Sequence, residues 1–91
     1  MNANDALQLS RLNKTKFEEE MKDRQLSFIN KAIEYAISDG ETSARVDMSS
    51  IGYYSISESA RFNLIKRGFK VENVKFHNET QSEYIIVVSW D

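Results

Sequence analysis

From position 4 to position 38 the chain has neither Gly nor Pro, and its apolar residues recur among charged ones at helical intervals. The pattern predicts one long helix. Met21, Phe28, Ile29, Ala32, Ile33 and Ala36 recur at helical spacings and form one broad stripe that can face a core, whereas Leu9 and Leu12 fall well away from it. A straight helix cannot bury both sets against one surface. Residues 1–20 therefore read as a helical extension, an oligomerisation arm whose first turns fray, bend away or meet another chain, and residues 21–91 as a single α+β domain. Asp39-Gly40 ends the helix, since Gly adopts the left-handed conformation after a last turn at no Cβ cost.

Beyond the glycine the period changes. Residues 42–48 place Ala44, Val46 and Met48 on one face of a first strand. Ser55 and Glu58 have the spacing of a capping box, so a second helix is expected from Ser55, with Ile56, Ala60, Leu64 and Ile65 inward and Gly68 as its stop. Phe69 and Val71 share one face of a second strand while Val74 and Phe76 fall on the other, which predicts a bulge near Asn73. Residues 77–81 turn the chain. Residues 84–90 are the most apolar run, β-branched and aromatic, and should form a central strand. The expected architecture is a long N-terminal helix followed by β-α-β-β, with a three-stranded mixed sheet of order 1-3-2 covered by helices on one face. That leaves Ile85 and Val87 on the second face of the central strand. With Leu9 and Leu12 they are the expected interface of a homo-oligomer, a symmetric dimer with any ligand site shared between subunits.

Composition narrows the function classes. A hydrophobic fraction of 41% and a charged fraction of 29% predict a folded domain, and 91 residues suffice for one core. Each half of the chain, residues 1–40 and 41–91, holds six Lys/Arg against seven Asp/Glu, so there is no basic face of the kind that duplex binding needs. The local exception is the cluster Arg61, Lys66, Arg67, Lys70 and Lys75. Glu18 to Lys22 and Glu20 to Arg24 read as i,i+4 pairs on a solvated helix. The absence of cysteine fits a reducing compartment, and with no long apolar run and a polar N-terminus the expectation is a cytoplasmic protein without membrane contact.

Catalytic patterns are missing. The sole histidine, His77, has no cysteine or second imidazole to join it as a metal ligand, and the glycines at 40, 52 and 68 form no phosphate loop. No enzyme, cofactor or metal is expected. The segment most suited to recognition is 49–55, which combines hydroxyls, a glycine and two tyrosines before a helix N-terminus. Ser50 and Ser55 with that terminus would favour an anion, Tyr53 or Tyr54 could stack on a base, and Arg45 or Arg61 could reach a phosphate. The competing reading is that one tyrosine closes the core and the serines cap the helix.

Three stretches carry a resemblance: Ile33-x-x-Ala36-Ile37-x-x-Gly40-Glu41-x-Ser43, Leu64-x-x-x-Gly68-Phe69-x-Val71, and the run from Tyr84 to Trp90. Over residues 29–90 the chain resembles small uncharacterised proteins encoded by bacteriophages and prophages. The resemblance implies no activity. It implies a setting, an infected bacterial host, in which such proteins bind host factors or sequester the nucleotide signals of antiviral defence. The resulting expectation is a non-catalytic binding protein that inhibits host defence by capturing a nucleotide. The alternative is a protein-interaction adaptor or host-takeover factor that binds a host protein.

Overall fold

The computed structural model describes residues 2–77 and 82–91, with the side chains of 75–77 and 82 left aside. Helix α1 spans Ala3–Ser38, strand β1 Ser43–Asp47, a 3-10 turn Met48–Ile51, helix α2 Glu58–Lys66, strand β2 Lys70–His77 and strand β3 Ser82–Ser89. The turn expected at 77–81 lies, from residue 78 on, outside the described residues.

The sheet has the order β1-β3-β2, with β3 central. It is antiparallel throughout rather than mixed, because β1 and β2 run the same way but each pairs only with β3. The β2–β3 register runs unbroken from Lys70↔Ser89 to His77↔Ser82, so the expected bulge at Asn73 is absent. Asn73 instead keeps its place in the strand, and its side-chain oxygen accepts from the Tyr84 hydroxyl at 2.8 Å. That pairing satisfies a polar group the alternation rule alone would have displaced.

α1 begins with a reciprocal cap. The Asp5 amide donates to the Asn2 side chain at 2.9 Å, and the Asn2 amide is 3.4 Å from the Asp5 carboxylate. Every residue from 2 to 20 is exposed, and burial starts at Met21. The ion pair on this helix is Glu19–Lys22 at 3.2 Å, not Glu18–Lys22, because i,i+3 neighbours meet as readily as i,i+4 ones. From Ile29 and Ile33 of α1 and Leu64 of α2 the buried cluster continues into Ala44, Val46, Met48, Tyr84, Ile86 and Val88. Ile65, expected inward, is 49% exposed, since one step along a helix from Leu64 is 100° round its axis. Ile85 is only 6% exposed in the single chain, flanked by Asp47 and Val74, and Val87 between Arg45 and Glu72 is partly buried. A central strand gets this cover from its neighbours, so Ile85 does not need a partner subunit. Leu9 and Leu12 have no such neighbours.

One buried polar residue joins the layers. Gln25, with no exposed surface, donates its amide to the Ser55 carbonyl at 3.1 Å and accepts from the Ser57 amide at 2.8 Å. Between them the Ile56 amide donates to the Tyr84 hydroxyl at 3.2 Å. With residues 55–57 held by Gln25 and Tyr84 in this way, α2 does not start at Ser55. Its cap is Ser57, whose side chain accepts from the Ala60 amide at 3.0 Å. α2 ends at Arg67, where Gly68 at φ 93 lets the Phe69 amide return to the Leu64 carbonyl at 3.0 Å. Arg67 also bonds Asn30 and Asn63 at 3.2 and 3.3 Å and lies 5.2 Å over the Phe69 ring, which meets Trp90 edge-on.

Two substitutions test this account. Gln25→Leu removes two part-buried hydrogen bonds to the backbone of residues 55 and 57 and should lower unfolding free energy by about 1–3 kcal/mol in urea melts. A loss below about 1 kcal/mol would mean that water replaces the amide. Ile86→Ala, in the middle of β3, should cost about 2–5 kcal/mol by the same measurement.

Candidate functional site

Asp47, the last residue of β1, organises the next segment. Its carboxylate accepts from the Ser49 amide at 3.1 Å and from the Ser49 hydroxyl, while its carbonyl accepts from the Ser50 hydroxyl at 2.7 Å. These bonds set the 3-10 turn. Gly52 closes it at φ 86, where nothing within 4 Å would meet a Cβ, so the requirement there is conformational rather than spatial. The Tyr53 amide then bonds the Met48 carbonyl at 3.1 Å, which directs the Tyr53 ring onto the core margin.

Between this segment and α1 lies a groove of about 470 Å³, lined by Asp23, Arg24, Ser27, Phe28, Lys31, Ile51 and Tyr53. This volume falls in the range of small-molecule sites. Phe28, Ile51 and Tyr53 supply apolar and aromatic surface, and Arg24 and Lys31 stand two helical turns apart on its rim. Among the described residues neither cation has a hydrogen-bond or ion-pair partner. Asp23 is the one carboxylate in the lining. The chemistry available is therefore stacking or apolar contact for a flat ring, with two unpaired donors for an anion.

No family model matches the chain, and no curated protein or solved structure matches it.

The groove gathers only one of the residues expected from sequence. Tyr53 lines it. Tyr54 is 61% exposed outside it, Ser50 is engaged with the Asp47 carbonyl, and the Ser55 carbonyl is held by Gln25. Arg45 alternates with buried Ala44 and Val46 and so leaves the strand on the side away from the core, while Arg61 is exposed on α2. These two arginines do not converge with Tyr53. At the α2 N-terminus the Ser57 amide goes to Gln25 and the Ala60 amide to the Ser57 hydroxyl. Arg24 reads in the sequence as the partner of Glu20 on a solvated helix and Lys31 carries no signal of its own; the docking of α1 against the 48–53 segment brings both into the lining with Tyr53.

Among the described residues no group of three or more His, Cys, Asp or Glu could hold a metal ion, and none of the helices is long and apolar enough to cross a membrane. The side chain of His77 lies outside the described ones. Loss of the Asp47 cap should loosen the groove wall: Asp47→Ala is expected to cost about 1 kcal/mol. It should also speed hydrogen exchange at the Ser49 and Tyr53 amides more than at amides of β3.

Proposed function

We propose that this protein binds rather than catalyses, and that its ligand is a nucleotide-class anion taken up in the groove between α1 and the 48–53 segment. The supporting observation is that two cations without a partner among the described residues, Arg24 and Lys31, line a groove together with Phe28, Ile51 and Tyr53. A base would lie against the Tyr53 and Phe28 rings and a phosphate would take donors from Arg24 and Lys31, with the guanidinium offering a bidentate fork. Asp23 disfavours a highly charged ligand at one end, so a mono- or dinucleotide fits better than a polyphosphate. In the phage setting implied by the resemblance, such capture would withdraw a nucleotide signal from host defence.

A protein partner is the second reading, favoured by Phe62 and Ile65, which are 67% and 49% exposed and lie side by side on α2. A shortest dimension of only 16 Å supports both helices lying on one face of the sheet. That arrangement would leave the face bearing Arg45, Glu72 and Val87 open as well.

Titration of labelled protein with mono- and cyclic dinucleotides, followed by amide shifts, separates the two. Binding should perturb residues 24–31 and 51–53, and Arg24→Ala should weaken it about tenfold or more. Absence of shifts at millimolar nucleotide would remove the ligand reading and leave the protein-partner one.

A further inference from the structure

We infer that the exposed arm of α1, residues 2–20, docks on the same arm of a second copy, antiparallel, about a two-fold axis between residues 10 and 11. The inference is independent of the groove.

The arm is an unbroken continuation of a docked helix, yet nothing among the described residues covers it. Leu9 and Leu12, 47% and 67% exposed, lie three apart on one side of it. In an antiparallel pair, the layer that buries both sets Leu9 against the partner's Leu12 and Leu12 against the partner's Leu9. That register fixes every other neighbour. Asp5 and Lys16, which share the seam with the leucines by their spacings of four, come opposite each other twice, as Asp5 with the partner's Lys16 and the reverse. The Glu18-Glu19-Glu20 run comes beside the amino end of the partner helix, where the dipole is positive and favours carboxylates.

In this register residue 2 meets the partner's residue 19, so the paired stretch stops short of Met21, where burial begins. A parallel pair would put Asp5, Lys16 and Glu19 each against its own copy, and like charges facing each other disfavour it. Leu7 and Phe17 point away from the seam and take no part. Four leucines make a small core beside the roughly 1,200 Å² of a stable interface, so the dimer should be weak and concentration-dependent.

Sedimentation velocity of the full chain at roughly 0.1 mM resolves a dissociation constant of tens of micromolar. Dimer is expected there, and Lys16→Asp should raise the constant about tenfold or more by facing the partner's Asp5. Lys14→Asp makes the same change of charge off the seam and should leave it unaltered. Asp5→Lys combined with Lys16→Asp should restore the dimer. The chain has no cysteine, so Glu20→Cys takes a single spin label, and the two labels should lie about 30 Å apart if antiparallel and about 10 Å apart if parallel. A monomer at this concentration overturns the inference, as does a short label distance. So does equal weakening by Lys14→Asp and Lys16→Asp, or a dimer that survives Leu12→Ser and is instead broken by Val87→Lys. Circular dichroism of each variant checks that the helix is retained, so that a lost dimer is not a lost arm.

Discussion

The primary amide of Gln25 is the constraint on which the rest of the structure turns. A side-chain amide carries the same donor and acceptor as a peptide group, and here it substitutes for one by bonding Ser55 and Ser57 as a neighbouring strand would. Because the group has no exposed surface, leaving either end unpaired would be costly, so α1 and the extended segment 55–57 must occupy one relative position. That position sets the rotation of α1 about its own axis. Gln25 is one turn before Ile29 and two before Ile33, so the same rotation aims both isoleucines into the cluster with Ile86 and Val88.

The Tyr84 hydroxyl completes the arrangement from the other side. It takes the Ile56 amide and gives its proton to Asn73, so three successive residues are held by α1 and by β3, and the polar Asn73 on β2 is satisfied in the process. Arg67 fixes a second point, joining Asn30 of α1 to the end of α2 and, through Phe69, to Trp90. With α1 held at both 25 and 30, Arg24 and Lys31 have little freedom to move as units of backbone. Their presence on the groove rim follows from the clamp beside them.

The parts of the fold that rest on apolar periodicity were legible in the sequence. The centrality of β3 and the 1-3-2 order follow from where Ile and Val stand, and the helix ending at Asp39-Gly40 from the glycine. What rests on polar groups was not. Gln25 is invisible to a hydrophobic pattern, and without it Ser55 is as good a cap as Ser57. Asn73 looked like a break in alternation because its partner, Tyr84, is eleven residues away. The site was half legible for the same reason. Tyr53 stood out by local chemistry, whereas its cations come from a helix more than twenty residues earlier, and Arg45 and Arg61 depart in directions that only strand and helix phase decide. The expected mixed sheet did not follow from the expected order: with β3 between them, β1 and β2 run the same way without pairing, and both pairs are antiparallel.

The arm raises a different question, why a helix persists for five turns beyond its core. Nucleation is the unfavourable step in helix formation, and the docked half of α1 supplies the nucleus, so adding residues 2–20 needs only propagation through a stretch free of Gly and Pro. The Asn2–Asp5 cap then closes the far end. Such an arm is stiff, and its direction is inherited from the Gln25 clamp. An antiparallel pairing about residues 10 and 11 would therefore hold the two Arg24 positions about 40 Å apart along the paired helices. No nucleotide spans that distance, so each groove has to be complete within its own chain. The expectation of a ligand site shared between subunits does not fit such a dimer; the arm would couple two whole sites rather than build one.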